Sequence, residues 1–407
     1  MKYVLLINTN KEIPARRLLA RADIALAVVT TPRYRHFYPD GTRLEVVDDI
    51  ENVAEVKLAA LRLLSDVPFS HVVAPSEFNL QPAAFVRSYY GLAGPGYDMV
   101  NAFTNKYVMK QRLRDHGIPV APFTRVARLS EAGDAAAELG WPIVVKPVVG
   151  GGAEDVLVIH DDADLARHCA AGRSERMLAF GHFLVAERFL TIDEEFHCDG
   201  ILSEGEIRLS AVSRYFAPVL GSVGHVVGSY TLPESDPRTA IVRDLHRSVV
   251  RAMGLRDGVT HLEAFRVGDR FIVGEVAIRP GGGGIPQQLS EQYGVDIWDA
   301  LIATSLNEPV ATVSRQPDDY LAQYMLPLRR GRITRISSAD ELRDIPGVVH
   351  AEVRHRVGDQ VTRALNSVAM AGLVLVRART ETEIHAAVQA LHERYELQTV
   401  EVDTDEG

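Results

Sequence analysis

The first hundred residues alternate between short apolar runs and amphipathic segments, and this alternation restricts the fold more than any other feature of the chain. The apolar runs predict strands at residues 3–8, 24–30, 44–47 and 71–74, and the segments between them predict helices at 14–22 and 53–64. Strands that alternate with helices pair in parallel, and the helices then cover both faces of the sheet. The sequence therefore predicts an α/β fold for this region.

The chain has 407 residues, which is too many for one hydrophobic core, so we expect two to four domains. A cluster of glycine and proline between Gly91 and Gly96 marks a domain boundary. The Rossmann-like region before it contains neither a GxGxxG motif nor a Walker A loop. It is therefore not expected to bind a nucleotide through either of these motifs.

Composition excludes several classes of protein. Hydrophobic residues make up 46% and charged residues 24%, which excludes wholesale disorder, and the net charge of -10 argues against a general nucleic-acid binder. Cys169 and Cys198 are too few for a disulfide framework or a cysteine zinc site, which favours a reducing compartment. No apolar run approaches the ~18 residues of a membrane span. We expect a cytoplasmic enzyme that binds neither nucleic acid nor membrane.

Lys146 ends an apolar strand that begins near residue 141, and three glycines, Gly150 to Gly152, follow it. A glycine-rich turn lets backbone N–H groups close on a phosphate, and a lysine at its edge adds a positive charge. Taken alone, the pattern also fits a strand-end lysine beside an ordinary loop. A helix is predicted upstream at about residues 101–116.

Glu263 and Glu275 lie in two strands that are predicted to form a hairpin around a Gly-Asp turn. A three-residue loop at 268–270 places the two carboxylates directly opposite each other, whereas a two-residue loop pairs Glu263 with Gly274 instead. Facing carboxylates repel each other unless a cation or a proton lies between them. Mg²⁺, which takes a few carboxylates together with substrate phosphates, fits such a pair. A solvated hairpin face is the alternative.

Arg279 is followed, after one proline, by the four glycines Gly281–Gly284. Four glycines beside the expected metal site suggest a backbone that lies close to a ligand, and a flexible loop is the alternative. A further segment, from Leu184 through Asp199, turns from one apolar strand into another. By itself that segment indicates an ordinary hairpin.

The order of these features along the chain resembles the ATP-grasp superfamily. Residues 1–96 resemble its Rossmann-like pre-ATP-grasp domain. Residues 97–325 resemble the two-lobed α+β ATP-grasp domain, with a small lobe at about 110–185 and a large lobe at about 186–325. Residues 326–407 resemble the small C-terminal α+β region of L-amino acid ligases.

The resemblance implies roles for individual residues. Those matched to ATP binding are Lys106, Lys146, Gly150, Gly151, Gly152, Ala153, Glu187, Arg188, Phe189, Leu190 and Glu195, with Glu194 as the alternative to Glu195. Glu263 and Glu275, which are 12 residues apart as in a biotin carboxylase-like domain, match metal ligands. Arg279 and Lys146 match catalytic residues, and Gly281, Gly282 and Gly283 match a substrate loop.

Two positions depart from the pattern of the superfamily. Ala153 stands where the glycine loop often has serine, and Ala277 stands where many members have asparagine as a further metal ligand. We expect water to take the place of that amide, because imidazole is a poor Mg²⁺ ligand. His261, which faces Ala277 in the three-residue-loop register, is the alternative.

The implied reaction joins a carboxylate to an amine through an acyl phosphate, with release of ADP and phosphate. An amino acid or small peptide is the expected substrate, ATP and Mg²⁺ are the expected cofactors with Mn²⁺ as a substitute, and a homodimer is the expected assembly. One alternative is a carboxylase or purine-pathway-type ligase that uses bicarbonate or formate. Another is a non-catalytic ATP-binding module.

Overall fold

A computed structural model describes residues 1–152, 155–178, 183–220, 227–362 and 369–401. Within these ranges the strands form four sheets, one parallel and three antiparallel. No helix in the same ranges is long and apolar enough to cross a membrane.

The parallel sheet lies in the first hundred residues, as the alternating pattern predicted. Its strands are β1 (Lys2–Ile7), β2 (Ile24–Thr30), β3 (Arg43–Val46) and β4 (His71–Val73), and its helices are α1 (Glu12–Leu19), α2 (Val53–Leu64) and α3 (Glu77–Tyr90). The strand order is β3-β2-β1-β4. The order reverses at β1, so the carboxyl ends of β1 and β4 border a crevice of the kind in which α/β proteins bind ligands.

The single helix predicted at 101–116 is wrong, because two helices, α4 (Tyr97–Thr104) and α5 (Lys106–Asp115), meet at Asn105. The Asn105 backbone is extended, and its side-chain oxygen accepts hydrogen bonds from the N–H groups of Tyr107 and Val108. Asn105 is therefore an N-cap that starts a new helix. The cap brings Lys106 to the N-terminus of α5.

An antiparallel sheet of four strands follows, with the order β5-β8-β6-β7. Its elements are β5 (Phe123–Val126), α6 (Ala132–Leu139), β6 (Ile143–Pro147), β7 (Leu157–Ile159), α7 (Asp162–Ala170), α8 (Arg173–Leu178) and β8 (Leu184–Arg188). Apolar residues of α6 and α7 pack on one face of this sheet, and Val145 of β6 belongs to that core. Because side chains alternate along a strand, Lys146 points to the opposite face.

The rest of the chain builds one large sheet and one small sheet. The strands are β9 (Glu194–Ser203), β10 (Glu206–Tyr215), β11 (Val227–Thr231), β12 (Gly258–Val267), β13 (Arg270–Ala277), β14 (Tyr320–Leu326), β15 (Gly331–Ile336), β16 (Val348–Val353), β17 (Gln360–Val361), β18 (Gly372–Ala378) and β19 (Leu397–Val400). The helices are α9 (Pro237–Met253), α10 (Ile285–Tyr293), α11 (Ile297–Ser305), α12 (Ala339–Arg343) and α13 (Glu381–Arg394).

The large sheet has the order β13-β12-β9-β10-β11-β14-β18-β16, and the small sheet has the order β17-β15-β19. Strands from residues 320–378 thus extend the sheet that begins with β9. The domain limits at residues 96 and 325 stay predictions.

The hairpin of β12 and β13 brings Glu263 opposite Glu275, but by a route that differs from the prediction. The pairs across it are Val267–Arg270, Phe265–Ile272, Ala264–Val273, Glu263–Glu275 and His261–Ala277. The three-residue loop is therefore wrong, since the turn holds two residues, and Gly274 is an extra residue that forms a β-bulge. The bulge moves the register by one residue and restores the facing carboxylates.

Candidate active site

The glycine-rich loop after β6 and the β12–β13 hairpin meet at Lys106. The Lys106 Nζ donates a hydrogen bond to the Gly150 carbonyl at 2.6 Å and lies 3.2 Å from Glu275 Oε1. A Cβ atom added to Gly151 would lie 3.7 Å from Arg279 Nη2. The loop after β6 is thus in contact with both the start of α5 and the end of β13. Ala153, the last residue assigned to this loop, lies outside the described residues.

A buried ion cluster lies beside this loop. The Glu187 carboxylate is 2.8 Å from Lys146 Nζ through Oε1 and 3.2 Å from Lys110 Nζ through Oε2. Lys110 also donates to the Gly274 carbonyl at the bulge. The cluster therefore joins α5, β6 and β8 to the β12–β13 hairpin. Sequence reasoning missed Lys110, although its place four residues after Lys106 puts both ammonium groups on one face of α5.

The charges of this cluster shift one another's proton affinities. Burial alone would raise the pKa of the Glu187 carboxyl, but the two ammonium groups outweigh burial and hold that pKa below its usual value. Burial alone would lower the pKa of Lys146, but Glu187 outweighs it and the pKa of Lys146 is raised. Burial lowers the pKa of the more deeply enclosed Lys110. One carboxylate faces two amines here, so the cluster can accept a further anion.

Glu194 and Glu195 are neighbours in β9 and point to opposite faces of the sheet. Glu194 lies 3.1 Å from Arg214 and 2.8 Å from Arg238, and it also pairs with Arg266. Arg214 and Arg238 in turn hold Glu381 at the start of α13. Glu194 therefore belongs to an ionic network that ties the C-terminal helix to the large sheet.

The Glu195 side chain lies on the same face of the large sheet as Glu263 and Glu275. Its Oε2 accepts a hydrogen bond from the Val219 N–H at 2.7 Å. Burial, and next the negative charge of Glu263, raise the pKa of Glu195 to about 8. A carboxyl in this setting gains a proton at neutral pH unless a cation or a donor group arrives nearby.

Three more residues of this face form a buried triad that sequence reasoning missed in part. His197 Nδ1 lies 2.6 Å from Asp199 Oδ2, and His261 Nδ1 lies 2.9 Å from Asp199 Oδ1. The signal was present in the sequence, because Glu195, His197 and Asp199 alternate along β9 and so share one face. Burial would lower the pKa of His261, but the Asp199 carboxylate outweighs it and raises that pKa to about 10.

The paired glutamates form a partly open acidic site. The side chains of Glu263 and Glu275 are 29% and 23% exposed, and each faces a cationic group, His261 for Glu263 and Lys106 for Glu275. Burial would raise the pKa of Glu263, but His261 outweighs it and that pKa is lowered. Two opposed oxygen ligands that water can reach fit a hard divalent cation that keeps part of its hydration shell.

Arg279 connects this site to the crevice of the parallel sheet. Its Nε donates to Glu77 Oε2 at 2.7 Å, and Glu77 begins α3 directly after β4. Lys11, which follows β1, lies over the Trp298 ring, and burial followed by the charge of Arg279 lowers the pKa of Lys11. Two cations and one carboxylate thus border the crevice.

The glycines after Arg279 are held close to buried side chains. A Cβ atom on Gly281 would lie 2.9 Å from His261 Nδ1, and one on Gly283 would lie 2.7 Å from the sulfur of Met325. Gly282 lies between them on the same turn. At Gly281 and Gly283, packing against the protein itself requires glycine. The predicted contact of Gly281, Gly282 and Gly283 with substrate stays a prediction.

The hinge assigned to the adenine has one free backbone donor. The Arg188 N–H donates to Pro122 and its side chain to Leu139, while the Phe189 N–H donates to Pro142. The Leu190 N–H has no acceptor among the described residues. This free donor is the group at the hinge that a ligand can use.

The opposite settings of Glu194 and Glu195 predict opposite effects of removing their charge. The raised pKa of Glu195 means that the folded protein holds a proton that the unfolded chain releases, so wild-type stability falls as pH rises from about 5 to about 8. Glu195→Gln should therefore gain stability relative to wild type over that range, on the order of 3–4 kcal/mol by the upper end. Urea unfolding at several pH values measures the difference.

Glu194→Gln is the matched control, because it makes the same change one residue away. It leaves three arginines short of a counter-charge and should lose about 1–3 kcal/mol at neutral pH. A Glu195→Gln variant whose difference from wild type does not change with pH would contradict the protonated state assigned to Glu195.

Comparison with known proteins agrees with this geometry. The ATP-grasp domain model matches residues 111–291, and the model named L-amino acid ligase C-terminal domain 2 matches residues 323–400. An L-arginine-specific L-amino acid ligase from Bacillus subtilis is 31% identical over 409 residues, which covers 98% of each chain.

Solved structures share the fold. An L-amino acid ligase from Bacillus licheniformis has a TM-score of 0.76 at 18% identity, covering 98% of this chain and 99% of that one. N5-carboxyaminoimidazole ribonucleotide synthetase from Thermotoga maritima has a TM-score of 0.71, also at 18% identity, covering 98% and 100%. The predicted fold class, a parallel N-terminal sheet followed by an ATP-grasp domain and a small C-terminal region, is confirmed. By the 31% identity along its whole length, the chain belongs to the L-amino acid ligases of the ATP-grasp superfamily, which are ATP-dependent carbon–nitrogen ligases.

Proposed function

We propose that this enzyme joins the carboxylate of one amino acid to the amine of a second amino acid or small peptide. The observation that carries the proposal is Arg279, which follows β13 and reaches the crevice of the parallel sheet through Glu77. A carboxylate held by Arg279 lies beside the loop that is assigned to the terminal phosphates.

The domain limits, the homodimer and the cytoplasmic location stay predictions from the sequence.

ATP is proposed to lie between the four-stranded antiparallel sheet, β5-β8-β6-β7, and the large sheet. The free Leu190 N–H suits a ring nitrogen of adenine, and Glu195 suits the ribose hydroxyls, which would donate to its carboxylate. Lys106, Lys146 and the Gly150–Gly152 backbone would bind the phosphates. Glu187 does not face the adenine in this proposal, because Lys110 and Lys146 already hold its carboxylate.

The ATP-grasp ligases use a divalent metal, and Mg²⁺ is the ion proposed here, with Mn²⁺ as a substitute. Glu263 and Glu275 would hold it together with phosphate oxygens. When bound, the ion neutralises charge on the phosphates during transfer. Lys106, which contacts Glu275, would leave that carboxylate for the phosphate as the ion arrives.

The reaction follows from these positions. Arg279 would orient the substrate carboxylate so that one of its oxygens attacks the γ-phosphorus, and ADP then leaves. Lys146 would stabilise the charge that develops on the phosphoryl oxygens. The amine nitrogen next attacks the carbonyl carbon, phosphate leaves with the carboxylate oxygen, and the nitrogen loses a proton. Lys11 would hold the carboxylate that the second amino acid retains.

A screen of amino-acid pairs tests the proposed function. Release of ADP should require two amino acids, and L-arginine is the first candidate because the relative from Bacillus subtilis is specific for it. Mass spectrometry should find a dipeptide in the same mixtures. Release of ADP with bicarbonate or formate and no amino acid would instead favour a carboxylase or a purine-pathway type of ligase.

Lys146→Met should lower the rate of ADP release by about 100-fold or more at saturating ATP, because it removes one charge from the developing phosphoryl anion. The fold should survive, since Lys110 stays 3.2 Å from Glu187 and leaves that buried carboxylate with a counter-charge. A coupled assay measures the rate, and thermal unfolding checks the fold.

Lys57→Met is the control and should keep the wild-type rate. Lys57 belongs to α2 and lies over the Tyr89 ring. If the folded Lys146→Met variant released ADP at nearly the wild-type rate, the phosphate role of Lys146 would be wrong.

A further inference from the structure

The proposed reaction leaves the buried triad of His197, Asp199 and His261 without a role. Both imidazoles direct Nδ1 at the same carboxylate, at 2.6 Å from His197 and 2.9 Å from His261. His197 Nε2 lies 2.8 Å from the Ser229 hydroxyl, so both of its nitrogens have protein partners. His261 differs, because its second nitrogen faces Glu263, one of the two carboxylates proposed to bind the metal.

His261 Nε2 lies 3.5 Å from Glu263 Oε1. That separation is longer than a good hydrogen bond. Two neighbouring ligand atoms at about 2.1 Å from one octahedral ion are roughly 3 Å apart, so a small movement of either side chain fits both atoms to a common cation. Ala277, directly opposite His261, offers no side-chain ligand atom that would compete for a cation at this position.

We infer that His261 releases its Nε2 proton to solvent when the metal binds, and that Nε2 is then a third protein ligand of the nucleotide-bound metal, beside Glu263 and Glu275. The inference rests on the proposed function, because it concerns the metal of that same site. It replaces the expectation that water takes the place of the asparagine amide that Ala277 lacks. A site with an imidazole ligand should hold Mn²⁺ more firmly, relative to Mg²⁺, than a site of oxygen ligands alone.

Asp199 supports this assignment. A histidine that binds a metal through one nitrogen commonly donates its other N–H to a carboxylate, which fixes the ring and makes the free nitrogen a better ligand. His261 has this arrangement, with Asp199 as the carboxylate. Gly281 closes over the pair, since a Cβ atom there would lie 2.9 Å from His261 Nδ1 and 3.0 Å from Asp199 Oδ1. The ring cannot tilt toward that side without meeting the loop.

Pulsed electron paramagnetic resonance of the full-length enzyme with Mn²⁺ and a non-hydrolysable ATP analogue tests the inference. Wild type should show the hyperfine coupling of a directly bound ¹⁴N nucleus. Enzyme produced with ¹⁵N-histidine should show the ¹⁵N pattern instead, which separates imidazole from an adenine nitrogen. This arm needs no variant, so it holds whether or not substitutions at this triad fold.

His261→Gln should lose the nitrogen coupling and lower the preference for Mn²⁺ over Mg²⁺ several-fold in competition titrations. His197→Gln is the matched control, since it removes the other imidazole on Asp199 and should keep the coupling. Mn²⁺ bound with the analogue but without histidine coupling overturns this inference alone. Failure of wild type to bind Mn²⁺ with the analogue would overturn the proposed metal site as well.

Discussion

The buried cluster of Lys110, Glu187 and Lys146 is the interaction on which the rest of the candidate site depends. Each of its three side chains comes from a different element, α5, β6 or β8, so the cluster fixes these elements relative to one another. A buried charge without a partner is costly, and the pairing therefore restricts where the helix can lie. Lys106 begins the same helix, and its contacts with Gly150 and Glu275 follow from that placement.

Side chains alternate between the two faces of the large sheet along β9. Charges that hold the fold together therefore lie on one face, and charges of the candidate site lie on the other. Along β9, Glu194 faces the arginines that hold the C-terminal helix, whereas Glu195 and Asp199 face the hairpin with Glu263 and Glu275. The first face balances its charges within the protein. The second face holds more carboxylates than cations. The pKa of Glu195 is therefore raised, and Glu263 and Glu275 form an acidic pair that suits a divalent ion.

Much of this arrangement was accessible from the sequence. The alternation of strands with helices predicts the parallel sheet, and the period-two pattern with its Gly-Asp turn predicts the β12–β13 hairpin, because both depend on local geometry. The facing of Glu263 and Glu275 depends in addition on the bulge at Gly274. The bulge at Gly274 was not accessible, since it requires the register of β12 with β13 to be known at both ends. The N-cap residue Asn105 was a local signal for a helix start, but the apolar pattern on both sides of it predicted one continuous helix instead. Glu187 pairs with Lys110 and Lys146, and Arg279 pairs with Glu77. These partners come from distant parts of the chain, and no spacing rule identifies them.

The central claim is that the carboxylate is activated by a phosphoryl group, and isotope transfer tests it most directly. The enzyme would be given ATP, an amine and an amino acid whose carboxylate oxygens are ¹⁸O. Attack of a carboxylate oxygen on the γ-phosphorus places one ¹⁸O atom in the released phosphate, which ³¹P nuclear magnetic resonance detects as a shifted line. That line is the expected result. Amide formation with unlabelled phosphate, or with ¹⁸O in AMP, would contradict the account.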